Sequence, residues 1–320
     1  MLYLSTRNTL DAYTAYRAMH EQFTPDGGYY VPFRLPSFSK EDLAEFKQKT
    51  STEAIAHILN LFFGLHLSGW DVECAVGRNP FHVTSVNQRL FIAEMWRNPQ
   101  GYWEYLLENI YAMMLGKIAK PMGWSRIAIG IALLFSLYSS EDGFTEEGLD
   151  IAVTSLDFSD IIATLYAKDM GLPFRIIICS FNENGAVWDF LNRGVLTTGS
   201  SVINAEFPQT DVSVPQFLEY LLYRSLGGAE VSRYLDACKN KSYYYISEEQ
   251  LEQINFEFFS AVVSNNRVDY LQSIFDKSNH YAIDAHAAHA YGGLQDYRAR
   301  TGISKETLIF AKKRPNHIKE

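Results

Sequence analysis

"LDIAVTSLDFSDIIATLYAKDMGLPFRIIICS", residues 149–180, decides the architecture. "LDIAVT" and "FRIIICS" are continuous apolar runs of strand length. Between them "SDIIATLYAKDM" has helical spacing and is closed by Gly171, with Pro173 beyond. Two such strands around one helix form a βαβ unit. A strand apolar on both faces has to be covered on both, so the expectation is an α/β protein with a parallel sheet flanked by helices. The turn into that helix, "TSLDFSD", has the strand–turn–helix form of a phosphate site at a helix N-terminus, yet it contains no glycine.

Working outward, "SKED" at 39–42, "TSTE" at 50–53 and "SEEQ" at 247–250 are capping-box patterns that open helices. "TPDGG" at 24–28 supplies a turn, and "YYVPFRLP" runs extended, with Pro32 and Pro36 assigning it to an edge. Residues 87–140 read as almost entirely helical, with "IAIGIALLFSLY" a buried helix too short to span a bilayer. "EDGFTEEG" at 141–148 reads as a polar loop. "NENGAVWDFLNRG" reads as a loop and a short helix ending at Gly194. A helix begins near Pro215, and residues 281–313 hold a last helix and the strand "TLIFAK".

The chain is 320 residues long, 47% hydrophobic and 20% charged, which describes a globular protein without low-complexity segments. A net charge of −9 and the lack of a basic stripe argue against nucleic acid. No apolar run reaches membrane-spanning length. Cys74, Cys179 and Cys238 are widely spaced and show no metal-ligand pattern, which points to a reducing, cytoplasmic setting.

Several phrases in order resemble the threonine synthase family, pyridoxal-phosphate (PLP) enzymes of the tryptophan-synthase-β-like fold (fold type II). They are "YLSTRN" (3–8), "DGGYYVP" (26–32), "DFSDIIATLYAKDMGLP" (157–173), "NENGAVWDFLNRG" (182–194), "IDAHAAHA" (283–290) and "KKRPNHI" (312–318). The resemblance implies an N-terminal α/β region over 1–86, a helical segment over 87–145 in place of most of the family's small mobile domain, and a remnant of the large PLP-type domain over 146–320.

The same resemblance exposes departures. The family carries its Schiff-base lysine in a phrase of the type FHGPTxAFKD. Laid without a gap on "FHVTSVNQRL", 81–90, that phrase puts Arg89 at the lysine position. A guanidinium stays protonated and is a poor nucleophile. Against the family's GNFGD-like phosphate turn stand Leu156, Asp157, Phe158, Ser159 and Asp160, so both glycines are replaced. Asp157 would cap the helix amides itself and bring a negative charge to the place a phosphate should sit. The small domain's SGDTGSA-type loop has no counterpart, and the family's terminal Ser/Thr falls near Ala311 or Lys312.

The residues left as cleft candidates are His82, Asn182, Asn184 and His286. Asp284, His286 and His289 have the types of a metal site but point to no further ligand, so they read as packing and hydrogen-bonding groups, and no metal is expected. Lys117 and Lys120 read as solvated helix-end lysines rather than replacement Schiff-base lysines. The expectation is a family member without catalysis or cofactor, acting as a binding or partner subunit. It would associate with itself or with a related enzyme, or take an amino-acid-like ligand. The alternative is an active PLP-dependent lyase using an unrecognised lysine.

Overall fold

In the computed structural model, residues 1–140, 148–154, 158–183, 185–198, 217–240 and 242–315 are described. They divide into two compact units that alternate along the chain: 1–82, 95–148 and 162–174 in the first, 83–94, 149–161 and 175–320 in the second. The consecutive division expected from sequence thus gives way to one in which the chain passes between units several times.

The first unit contains β1 (Leu2–Ser5), β2 (Tyr13–Thr14), α1 (Ala15–His20), β3 (Tyr30–Pro32), α2 (Lys40–Phe46), α3 (Ser51–Phe63), α4 (Gly69–Val76), α5 (Glu104–Leu115) and α6 (Gly123–Ser140). β3 is an edge of the antiparallel sheet β2-β1-β3, where a strand ending in proline belongs. Thr24 and Asp26 close the turn before it, Ser5 Oγ donating to Asp26 at 2.9 Å. A Cβ on Gly28 would lie 2.2 Å from Ser5 Oγ, so only glycine fits there. Capping boxes at Ser39 and Thr50 open α2 and α3 as the sequence indicates, and Ser68 with Asp71 adds one for α4 that the sequence reading missed.

α6 is apolar nearly all round and packs on α3 as the unit's core, as a helix without a polar face must. Trp124 is fully buried, edge-on to Phe62 at 5.4 Å and to Tyr166 at 5.2 Å. Burial on this scale contributes about 1.5–3 kcal/mol per large side chain. Among the described residues no helix is long and apolar enough to cross a membrane.

The second unit is built on a sheet of order β10-β7-β6-β11-β5-β4, formed by β4 (His82–Asn87), β5 (Leu90–Glu94), β6 (Leu149–Thr154), β7 (Phe174–Phe181), β10 (Phe258–Val262) and β11 (Thr307–Ala311). β10 pairs parallel with β7, and β11 parallel with both β5 and β6. α7 (Ser159–Asp169), which belongs to the first unit from Ile162 onward, links β6 to β7, as "LDIAVT…FRIIICS" requires, and every residue of β6 is buried. The unit is completed by α8 (Ala186–Arg193), β8 (Val195–Thr197), α9 (Leu218–Leu226), α10 (Gly228–Lys239), β9 (Tyr243–Tyr245), α11 (Glu248–Asn255), α12 (Asn265–Asn279) and α13 (Ala285–Thr301).

Two expectations are corrected. Residues 87–94 are strand rather than helix, because β4 turns at 88–89 into β5, whose apolar run fills a buried place beside β11. The segment after the Ser247 cap is also split: α11 stops at Asn255 and "FFSAV" becomes β10. The loop expected at 141–148 lies outside the described residues except Gly148, as do Pro215 and the start expected there for α9.

Candidate functional site

The chain lays β5, β6, β7 and β10 in order across the sheet and then returns β11 into the space between β5 and β6. Open α/β sheets bind ligands outside the carboxyl ends of their strands, where the strand order reverses. Here that place lies beyond Ala311 of β11, Thr154 of β6 and Glu94 of β5.

Charged groups are buried at each of these ends. Lys312, the residue after β11, is buried with its Nζ donating to the carboxylate of Asp160 in the first turn of α7, and that carboxylate is buried as well. Glu94 is 1% exposed and accepts hydrogen bonds from Thr84 Oγ1 at 2.9 Å and from the Tyr281 hydroxyl. Thr154 Oγ1 is buried and has no hydrogen-bond partner. β11 pairs with β6 from Thr307↔Asp150 to Ile309↔Ala152, and Thr154 is the last residue of β6.

The N-terminus of α13 packs into the same edge. Asp284 is its N-cap and accepts from the amides of Ala287 and Lys313, each at 2.8 Å, so the exit of β11 is pinned to the start of α13. Burial pushes the Asp284 carboxyl up from the ordinary aspartate range, against the pull of those amides. Burial drives His286 down to about 3, with Lys312, Lys313 and His289 adding repulsion. His289 falls to about 4 for the same first reason, opposed by the backbone of Val263 and the charge of Glu183. Both rings are therefore neutral at pH 7. Neither His289 nitrogen has a well-formed hydrogen bond, and the same holds for Ser180 Oγ of β7 and Asn265 Oδ1.

The structure sorts the residues singled out from sequence. Phe158, Ser159, Asp160, Asn182 and His286 lie buried in this region. Leu156, Asp157 and Asn184 fall outside the described residues. Phe158 takes φ +62°, a left-handed conformation that a residue with a Cβ adopts at a cost, so the turn keeps a glycine-like backbone without glycine. His82 is exposed at the start of β4.

Arg89 is placed differently from the expectation. It is exposed in the β4–β5 turn, its carbonyl accepting from the amide of Thr307, the first residue of β11. That is the amino end of the sheet, opposite the crevice. The strand–turn–helix that a Schiff-base lysine would need is instead the run from β5 into α5. There the family phrase's spacing of aromatic, proline, aromatic and lysine falls on Trp96, Pro99, Trp103 and Glu104. Asn98 builds this turn, its amide donating to Met95 and Tyr102 carbonyls and its Oδ1 accepting from Gln100 and Gly101. The sequence reading missed it because "FH" at 81–82 matches the opening of the phrase by letter while its proline has no match there.

Also missed were Glu94 and the pairing of Lys312 with Asp160, which stand far apart in sequence and meet only through the order β6-β11. Among the described residues no group of three or more His, Cys, Asp or Glu could hold a metal ion.

A mostly parallel sheet flanked by helices with buried polar side chains at its carboxyl edge defines an α/β scaffold of the PLP fold type II kind. Comparison with known proteins specifies it. The family model described as "Threonine synthase N terminus" matches residues 2–77. The chain is 28% identical over 182 residues to threonine synthase of Eremothecium gossypii, covering 52% of this chain and 36% of that one. It is 24% identical over 178 residues to human threonine synthase-like 1, covering 53% and 24%. Matched regions thus span about a third of the length of the first curated relatives. The fold resembles PLP-bound threonine synthase from Brucella melitensis with a TM-score of 0.86 at 18% identity, covering 98% of this chain and 89% of that one. Against the yeast enzyme the TM-score is 0.82 at 16% identity, covering 98% and 87%. Residues 2–77 thus match the threonine synthase N-terminal family model, about half of the chain is similar in sequence to threonine synthases, and the chain shares their fold.

Proposed function

We propose that this chain is a threonine synthase family member that has given up PLP chemistry and serves as a binding or partner subunit. The observation that carries the reading is the buried ion pair of Lys312 with Asp160 at the carboxyl edge. PLP supplies an aldehyde that a neutral lysine amine captures, and a phosphate that needs a cradle of amides. The residues present do not fit that group. Glu104 and Arg89, the two positions that the family phrase selects, hold a carboxylate and an exposed guanidinium. Of the two glycines in the family's phosphate turn, one is replaced by the buried Ser159, whose side chain stands where a glycine would leave the amides bare, and the other by Leu156. Lys312, buried just beyond β11, has its Nζ engaged by the Asp160 carboxylate.

The test is direct. Purified protein is mixed with PLP, reduced with borohydride and mapped by peptide mass spectrometry. The expected result is no visible band and no labelled lysine. A stoichiometrically labelled lysine sinks the non-catalytic reading and supports a lyase.

A further inference from the structure

We propose that a groove in the first unit binds an apolar monocarboxylate, a molecule with an aliphatic or aromatic body, one carboxylate and no amino group. The groove is formed by the start of β1, by residues 33–38 that follow β3, and by His57 and Leu61 of α3. All of these belong to the first unit, so the inference stands apart from the reading of the PLP site.

Three observations carry it. First, the walls are apolar and open to water. The groove has a volume of about 690 Å³, within the range of about 300–1,000 Å³ that holds small ligands. Leu2 is 54% exposed, Phe33 68% and Leu61 38%, which together leave apolar surface that a ligand could take from water. Phe38 is anchored in the core, packing edge-on against Phe46 at 5.0 Å and Phe135 at 5.2 Å.

Second, the polar groups of the lining are donors that the chain does not use. Among the described residues the exposed Arg34 guanidinium makes no ion pair or hydrogen bond, and the same holds for the hydroxyl of Ser37. His57 is half-buried against the rings of Phe38 and Phe46. Burial lowers its basicity, with Lys49 adding repulsion and Glu45 opposing, so at pH 7 the ring is neutral and keeps one N–H to donate.

Third, the lining contains no carboxylate, although the chain carries a net charge of −9. A bound carboxylate would meet Arg34 without competition and could take its fork of N–H groups. An amino acid would bring an ammonium to the same place and find no counter-charge. A peptide strand is not the occupant either. The Phe33 amide bonds to the Leu2 carbonyl within the sheet, so the alternate residue, Pro32, holds the outward position of β3 and has no N–H to offer.

The experiment is a calorimetric titration of the full chain with hexanoate, octanoate and decanoate below their micelle concentrations. Octanol, octylammonium and the α-amino acid of the octanoate chain length serve as contrasts. Octanoate should fill one site, and affinity should rise about tenfold for each two methylenes added. Octylammonium and the amino acid should bind at least about tenfold more weakly than octanoate. Arg34→Gln should weaken octanoate about fivefold and leave octanol unchanged, and Leu61→Asp should abolish both. Both side chains are exposed, so the variants should keep the wild-type thermal midpoint; if Leu61→Asp does not fold, the contrast of octanoate with octanol in Arg34→Gln decides. The proposal is overturned by the absence of binding, by affinities that ignore chain length, by octylammonium binding as well as octanoate, or by Arg34→Gln binding octanoate like the wild type. Binding to phosphatidylcholine vesicles doped with oleate but not to free octanoate overturns it in favour of a membrane surface. Self-association that Leu61→Asp abolishes, without binding of octanoate, overturns it in favour of a second copy of the chain.

Discussion

The two ends of the six-stranded sheet each bury an aspartate against a basic side chain, and the pairs are built differently. At the amino end Asp150 of β6 accepts from Arg175 of β7 through Nε at 2.9 Å and a terminal nitrogen at 3.3 Å. Asp150 itself is fully buried, but the Arg175 side chain is 27% exposed, so its guanidinium keeps contact with water. Its fork fixes two strands relative to each other, which is what a bidentate guanidinium does well. At the carboxyl end Lys312 meets Asp160 as a point charge, both are inside, and the Thr154 hydroxyl at the end of β6 is buried without a hydrogen-bond partner. The amino end is finished as a joint. The carboxyl end buries polar groups beyond those that the pair uses.

The largest effect should come from breaking the carboxyl-end pair. Lys312→Met takes one partner from a buried carboxylate and should cost about 3–5 kcal/mol by urea unfolding, while Asp150→Asn should cost about 1–3 kcal/mol because Arg175 can turn to solvent. If the amino-end variant proves the costlier one, Lys312 is better hydrated than its burial implies and the contrast between the ends collapses.

A second difference lies in pH. His286 and His289 have folded-state values near 3 and 4, below the ordinary histidine value of 6.5. Between about 6.5 and those values the unfolded chain binds more protons, so stability is complete above 6.5 and falls as the pH drops through the window. Each ring can contribute up to about 1.4 kcal/mol per pH unit there. Asp284, raised by burial, acts with the opposite sign, since the folded chain holds its proton longer. The expected net result is a midpoint that falls from pH 6.5 to pH 4.5, with a shallower slope in His289→Val. An unchanged slope in that variant would mean that His289 is protonated in the folded chain.

How much of this was legible depended on how local the information is. The β6–α7–β7 unit is written in contiguous residues, two apolar runs and a helix with a glycine stop, and it folds as it reads. The same is true of the capping boxes at Ser39, Thr50 and Ser247, where cap and partner stand three residues apart. β5 was less visible because "LFIAE" has no alternation and is followed by helices, and its identity as a strand comes from pairing with β11, more than two hundred residues later. The site followed the same rule. Asp160, Asn182 and His286 could be nominated from motifs, whereas the partnership of Lys312 with Asp160 and the burial of Glu94 exist only once the strand order brings distant chain segments together. Arg89 shows the converse error, since a letter match in "FH" outweighed the turn in which it stands.

A smaller effect tests whether the unpartnered groups near the carboxyl end are remnants or supports. Ser180 Oγ is buried without a partner beneath α13, where a Cβ on Gly293 would approach it to 2.1 Å. Ser180→Ala removes a buried hydroxyl that nothing satisfies and should raise stability by about 1 kcal/mol. Gly293→Ala should lower stability, and less so in the Ser180→Ala background, since the closest atom has then gone. A loss in Ser180→Ala itself would show that the hydroxyl is satisfied, by water or otherwise, and that this end is as finished as the other.

The smallest effect belongs to Arg89, and it separates the ends most simply. Its backbone carbonyl receives the Thr307 amide at 3.1 Å and so helps to start the pairing of β11, but its guanidinium is exposed and adds a small like-charge repulsion to Arg298, whose basicity is lowered first of all by burial. Truncation to alanine keeps the carbonyl and removes the repulsion. Arg89→Ala should therefore shift unfolding by no more than about 0.5 kcal/mol, with any change toward greater stability. It should leave the borohydride result of the wild type unaltered, because Arg89 stands at the amino end of β5, where its carbonyl meets the first residue of β11. A large loss of stability would show that the guanidinium does more than its exposed place in the turn implies.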